Sequence, residues 1–463
     1  MEKIVSAINS IVWSPALVVL LVGAGLYFTF KTRFVQLRRI GLMVRLLFRK
    51  KDKQEQSKGV SSFEAFCIAL SGRVGTGNIV GVATAIALGG PGAVFWMWII
   101  AFFGSSTAFV ESTLAQIYKF FHKGSYRGGP ACYIEKGLKS PWLAVIFALF
   151  TIVGCGMLLT TVQANGMSTA AYNSFGISPW VSGLVLALLI GLVIVGGIKR
   201  IAKAASLITP FMAGAYILIS FIVLAFNWRS VPGLLSMIVQ NALGINPLCG
   251  GILGSTIMMG VKRGLFSNEA GQGTGAIPSA SADVKHPAEQ GLVQAFSVYV
   301  DTLLVCTATA LMILSAGTFN ILGPSGEMLL ENSPELGANY VGFTQAAIDS
   351  VMGGMGSAFV SIALSFFVFT TIMAYYFDSE SSIMYLCSRK AGFSPRKERF
   401  LIRLLQVCVL SAIVFGAVKE ANLVWTLGDI GVGIMAWVNV VSIVLLAPKA
   451  FAALKDYEGL IGR

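Results

Sequence analysis

Residues 60–98, VSSFEAFCIALSGRVGTGNIVGVATAIALGGPGAVFWMW, form an apolar stretch long enough to cross a bilayer, yet Gly72, Arg73, Gly75, Thr76, Gly77 and Asn78 stand at its centre. Each glycine weakens a helix by about 1 kcal/mol relative to alanine. A charged side chain at bilayer depth costs about 2.5–3.5 kcal/mol on insertion scales. The span is therefore expected to break there. Lipid offers no partner to freed backbone N–H and C=O groups, so an unwound segment is tolerated only where it faces protein, water or a bound solute.

Working outward, 56% of the 463 residues are hydrophobic and 12% charged, with a mean hydropathy of +0.77. Soluble chains carry about 25% charged residues, so the expected class is an all-α polytopic membrane protein. Hydropathy accounts for eleven transmembrane helices, at 11–30, 62–89, 92–118, 142–171, 178–198, 205–226, 248–282, 289–317, 342–378, 401–418 and 423–447. The first thirty residues lack the charged n-region and cleavage pattern of a signal peptide, and 11–30 reads as a retained first span. The loop that follows holds ten Lys/Arg, which places it in the cytoplasm and the N-terminus outside. On that topology 28 of the 34 basic residues fall on cytoplasmic segments, the C-terminus included, and only Lys3, Arg229 and Lys419 fall outside. The net charge of +13 follows from this loop bias and from contact with anionic lipid. Nucleic acid is a poor partner for basic residues so dispersed.

The remaining basic residues, Arg73, Lys262 and Arg263, fall within interrupted segments. Reading 248–282 as two half-helices joined at Leu265, Phe266, Ser267 and Asn268 supplies a second broken span. Spans 2–6 (62–226) and 7–11 (227–447) then form two five-helix repeats of opposite topology, each opening with a broken helix. They are preceded by a helix and basic loop (1–61) and followed by a cytoplasmic tail (448–463). Paired Gly-interrupted segments in corresponding positions of two halves point to a transporter's binding site.

Half-helix ends present free N–H groups that suit a carboxylate and free carbonyls that suit a small cation. A small neutral amino acid with Na+ satisfies both. Thr76 and Gly77 offer N–H groups, and the side-chain oxygen of Asn78 is a hard ligand for Na+. Packing of the GxxxG kind would explain Gly75, Gly77 and Gly81, but not Arg73 or Asn78 at the same depth. Enzymatic readings do poorly. The two histidines, His122 and His286, lie in predicted loops without metal-ligand spacing, and no Walker or dinucleotide fingerprint occurs. No organic cofactor is indicated. A passive channel would need a polar pore or a ring of charges.

Three long motifs carry a family resemblance: VGTGNIVGVATAIALGGPGAVFWMW at 74–98, GVKRGLFSNEAGQGTGAIPSASADVKHPAEQG at 260–291 and FTTIMAYYFDSE at 369–380. Across essentially its whole length the chain resembles the bacterial and archaeal alanine or glycine:cation symporters, the sodium:alanine symporter family. The resemblance implies a leucine-transporter-like inverted-repeat core behind one extra helix, in a cytoplasmic membrane, with Na+ or in some cases H+ as the coupling ion. It further implies a substrate pocket of Thr76, Gly77, Gln163, Phe266, Thr371 and Tyr375, and a Na+ site of Ser71, Val74, Thr370 and Asn78, with Thr371 as a further candidate. Many members of the family have tryptophan where this chain has Tyr375, which leaves room for glutamine beside alanine and glycine.

Glu111, Glu269, Asp301 and Asp429 also fall in apolar surroundings, where each needs a partner or a proton. Arg73 and Glu269, one on each broken helix, are the expected pair, acting as a latch or as a structural brace between the halves.

Overall fold

A computed structural model describes residues 2–49, 59–245, 253–323, 326–389 and 393–461. Among these, eight helices are long and apolar enough to cross a membrane, and a ninth span appears when Ser62–Arg73 and Gly77–Gly89, bent by 49°, count as one. The elements that build the site are α1 (Lys3–Lys31), α2 (Ser62–Arg73), α3 (Val82–Gly89), α4 (Pro141–Phe175), α5 (Leu253–Asn268), α6 (Ala276–Ser281), α7 (Pro287–Ala316), α8 (Met355–Ser388) and α9 (Ala421–Ile461). Two of the eleven expected spans fall short of that test. The segment 178–198 is a 16-residue apolar helix, Pro179–Ile194, and 248–282 is the pair α5 and α6, with residues 248–252 outside the described ones.

Local sequence sets the helix starts. Ser61 accepts the Glu64 N–H at 3.1 Å while the Glu64 carboxylate accepts the Ser61 N–H at 2.7 Å, a reciprocal cap that opens α2. Proline stands in the first turn of α4, α7 and Pro395–Val418, where its missing N–H costs nothing. Three expectations are corrected. The span 342–378 divides into Tyr340–Met352 and α8, because the chain turns at Gly353 and Gly354 with φ of 56° and 87°. The segment after 226 contains a further helix, Val231–Ala242. The last span and tail form one helix that runs through Pro448 to Ile461. Two short antiparallel hairpins, 120–127 and 320–331, lie between helices.

Ion contacts join several of the segments that the sequence reading groups on one side. Arg38 and Arg39 reach Glu458, Arg49 reaches Glu289, Lys123 reaches Glu398, Arg389 reaches Glu135 and His286 meets Asp456. Every one of these joins two segments expected on the cytoplasmic side. At the other end, α1 packs along α9 through Trp13, whose indole N–H donates to the Asp429 carbonyl at 2.9 Å.

Candidate functional site

The first break lies between Arg73, the last residue of α2, and a π-helical turn over Gly77–Gly81. Val74 leaves the helix with φ −80° and ψ 93°, which frees the carbonyls of the last turn. The Thr371 hydroxyl on α8 lies 2.8 Å from the Ser71 carbonyl, 3.1 Å from that of Val74 and 2.8 Å from that of its own helix at Phe367. A hydroxyl has one proton for three acceptors. Two carbonyls therefore face the oxygen lone pairs, an arrangement that suits a small hard cation. Thr370, expected in this cluster, points the other way: its hydroxyl donates to Phe366 and Phe367 carbonyls at 3.1 and 3.0 Å and meets Met212 Sδ. On a helix, adjacent residues face about 100° apart, so only one of the two threonines reaches the break.

Two residues beyond Val74, the Thr76 N–H donates to Gln163 Oε1 of α4 at 3.0 Å, an N–H of the kind that can hold a carboxylate. Gly75 makes this closeness possible. A Cβ there would lie 2.7 Å from Gln163 Oε1 and 2.8 Å from Thr371 Oγ1. The Phe266 ring rests against Gly77 and packs on Trp425 of α9, the ring centres 5.1 Å apart and the planes tilted by 35°. Tyr375, one turn beyond Thr371, is fully buried and faces Glu269, Cys155 and Asp378. The Asn78 oxygen accepts the Gly75 N–H at 2.8 Å, so it is engaged in holding the unwound loop. Its amide nitrogen donates to Asp301 Oδ1 at 2.6 Å.

Asp301 thus enters a site from which the sequence reading left it out. It sits in a second π-helical stretch, Tyr299–Cys306, and its other carboxylate oxygen accepts the hydroxyls of Ser267 at 2.9 Å and Thr302 at 2.6 Å. Through Asn78 and Ser267 it touches both broken segments. Its intramembrane charge was the available signal. Trp425 gave none, because an aromatic residue near a span end is ordinary.

The second break falls later than expected. α5 runs unbroken through Leu265, Phe266, Ser267 and Asn268, and the chain leaves the helix at Glu269, with φ of 55°. Gly271 and Gly273 both take φ of 94°, a region closed to most side chains, so the glycines of GQGTG set the position of the break. The expected Arg73–Glu269 ion pair does not form: no nitrogen–oxygen contact within 4.0 Å joins them. Arg73 Nε instead donates to the Asn268 carbonyl at 2.7 Å, and Nη1 to Gln294 Oε1 at 3.2 Å and to Ser297. A cation at a helix C-terminus is favoured by the helix dipole. Glu269 accepts the Thr274 hydroxyl at 2.7 Å. The remaining acids also have partners. Glu111 accepts Gly271 N–H at 3.2 Å and Asn439 Nδ2 at 3.0 Å, and Asp429 binds Lys262 and Arg263.

Residues 1–461 match the model of the sodium:alanine symporter family. The chain is 52% identical over 458 residues, 99% of this chain and 93% of the other, to a Bacillus subtilis (strain 168) protein named "Putative sodium/proton-dependent alanine carrier protein YrbD". It is 43% identical over 457 residues, 99% of this chain and 91% of the other, to "Probable sodium/glutamine symporter GlnT" of the same organism. Among solved structures, that of MhsT in complex with L-phenylalanine superimposes with a TM-score of 0.57 at 13% identity, over 86% of this chain and 99% of the other.

Proposed function

The chain belongs to the sodium:alanine symporter family and has the leucine-transporter-like fold, and from that premise we propose that it carries a small neutral amino acid, alanine or glycine with glutamine as a further candidate, into the cell together with Na+ by alternating access. Its place is the cytoplasmic membrane of a bacterium or archaeon, with the N-terminus outside and the C-terminus inside. The observation that carries this reading is the convergence of Thr371 Oγ1 with the carbonyls of Ser71 and Val74, two residues short of the Thr76 N–H held by Gln163. Cation ligands and a carboxylate-binding N–H lie on opposite sides of a single break, so each bound species favours the same closed arrangement of α2, α4 and α8. Binding of one then strengthens binding of the other, which is the linkage that symport requires.

In this scheme Na+ is cargo, held by Ser71, Val74 and Thr371. The amino-acid carboxylate displaces Gln163 from Thr76, with Gly77 beside it and Phe266 covering the side chain. Asn78 acts by tying Gly75 to Asp301. Tyr375 bounds the far end of the pocket and supplies a hydroxyl, which favours a longer polar side chain such as that of glutamine. The name of the Bacillus subtilis alanine carrier, sodium/proton-dependent, gives the second reading, with H+ in the role of Na+.

Uptake into proteoliposomes with and without an inward Na+ gradient tests the proposal. Accumulation of alanine above the external concentration only with the gradient is expected. Flux that runs downhill and ignores the gradient would overturn it, and accumulation driven by a pH gradient alone would favour the proton reading. Tyr375→Trp is expected to narrow the range toward glycine and alanine; an unaltered substrate profile would remove Tyr375 from the pocket.

A further inference from the structure

Asp378 of α8 stands apart from the acids around the two breaks. Glu111, Asp301 and Asp429 are each held by two or more donors, and Glu269 accepts the Thr274 hydroxyl. The Asp378 side chain is 3% exposed, yet among the described residues it accepts no hydrogen bond and forms no ion pair, and its Oδ1 is wholly enclosed. A carboxylate in such a place is costly unless something small neutralises it.

Few titratable groups face it. Glu269 approaches from the second break, Cys155 from the π-helical turn Gly154–Leu159 within α4, and Tyr375 from one turn earlier on α8. Glu380, two residues on, is turned toward Arg127 of the 120–127 hairpin. Glu269 in turn feels Arg73, with Glu111 and Asp301 also around that guanidinium. Neighbouring carboxylates in a buried site do not both stay ionised. Arg73 offsets the charge of Glu269, whereas no cation faces Asp378, so the neutralising proton falls to Asp378. A metal ion fits poorly. These neighbours offer one hydroxyl and one carboxylate as hard ligands, and among the described residues no group of three or more acid, thiol or imidazole side chains is arranged to hold a metal. A proton needs a single acceptor.

We propose that Asp378 carries a proton through the transport cycle, bound in this closed conformation and released to the cytoplasm when α8 parts from the second break. The inference rests on the symport reading above and adds a proton to its cargo. The proton enters from water in the outward-open pocket, by way of the Tyr375 hydroxyl and Glu269, and comes to rest on a carboxylate oxygen of Asp378. On release it passes to a water molecule on the cytoplasmic side and leaves a hydrated carboxylate; no other bond is made or broken. On the proposed topology Asp378 lies about 4.5 Å nearer the cytoplasm than Tyr375, and Thr371 stands two turns above it on the same helix. Closure of α8 therefore governs the proton and Na+ together, which couples their binding.

The test is alanine uptake by proteoliposomes that enclose a pH-indicator dye, with the membrane voltage clamped by K+ and valinomycin. In the wild type, uptake driven by an inward Na+ gradient should acidify the lumen by about one proton per alanine, and lowering the external pH should raise uptake. Asp378→Asn is expected to cut the protons moved per alanine taken up at least about tenfold and to abolish the response to external pH. Asp378→Glu, which keeps an ionisable group, should restore both. A wild type that moves alanine without protons would overturn the inference and leave Na+ symport standing, as would an unchanged proton-to-alanine ratio in Asp378→Asn. Should Asp378→Asn fail to fold, as judged by gel filtration, the wild type decides through dicyclohexylcarbodiimide, an apolar reagent that adds to protonated carboxyl groups. Mass spectrometry should find the adduct on Asp378, and adducts on other acids alone would overturn the inference. A wild type that takes up no alanine under any gradient overturns the symport reading itself, and this inference with it.

Discussion

The two helix breaks are alike in sequence, each rich in glycine with a buried charge beside it, but they dispose of their freed backbone groups differently. At the first break, the Ser71 and Val74 carbonyls and the Thr76 N–H are met by single side chains of α8 and α4, Thr371 and Gln163, that ligands can replace. At the second, the Asn268 carbonyl is bound by Arg73, the Gly271 N–H by Glu111 and the Gly271 carbonyl by Asn439 at 3.0 Å. On the proposed function, the first is a binding site with provisional partners. The second is a brace, pinned by Arg73, Glu111 and the Asn439 amide. A broken helix in a membrane protein is thus no site by itself; what decides is whether its polar groups are held by replaceable partners.

Four experiments sharpen or break that contrast. The largest effect belongs to the brace: Arg73→Gln removes charge-assisted hydrogen bonds worth about 1.5–3 kcal/mol each, so thermal unfolding in detergent should show a loss above about 3 kcal/mol, with uptake abolished. Stability near wild type would mean that the brace lies elsewhere. Next, the two breaks should respond oppositely to an added methyl group. Gly271→Ala forces a left-handed alanine at a cost of about 1–2 kcal/mol in stability, with alanine affinity of the folded fraction close to wild type. Gly75→Ala crowds Gln163 and Thr371 and should weaken Na+-dependent alanine binding at least about tenfold, roughly 1.4 kcal/mol, with a smaller effect on unfolding. Equal profiles for the two would erase the distinction.

A finer test separates the adjacent threonines. Thr371→Val is expected to weaken Na+ activation of transport about tenfold, whereas Thr370→Val should change it less than about twofold, because its hydroxyl bonds back to its own helix and to Met212 Sδ, away from the break. The reverse order would return Thr370 to the ion site. The smallest expected effect is a coupling energy. A double-mutant cycle of Arg73→Gln and Glu269→Gln, read by thermal unfolding, should give about 0.5–1 kcal/mol in this conformation, because the two buried charges interact without direct contact while Arg73 holds the carbonyl of Asn268 next to Glu269. Coupling above about 1.5 kcal/mol would restore the ion pair.

Much of this was legible in the chain. Hydropathy and loop charge marked the membrane segments, because a span must be apolar throughout and basic loops stay on one side. The first break could be located because Gly, Arg and Asn at bilayer depth are each costly in an unbroken helix. The second was displaced in the sequence reading, since apolar Leu265–Phe266 beside polar Ser267–Asn268 resembles a junction as much as GQGTG does. The division of 342–378 was missed for a related reason: hydropathy counts apolar residues and is blind to a reversal at Gly353–Gly354.

What the sequence determined by itself was the class, the first interruption and the set of polar residues that must find partners in an apolar interior. Which partner each one found was decided by the tertiary structure. Arg73 had Glu269 available by charge, yet took the Asn268 carbonyl, Gln294 and Ser297, because α7 and the end of α5 bring those groups within reach. Asp429 took Arg263, 166 residues away in the chain, and its neighbour Lys262. Charge says only that a buried ion needs company. Contact between residues far apart in the chain depends on how the helices pack, and side-chain type alone does not encode it.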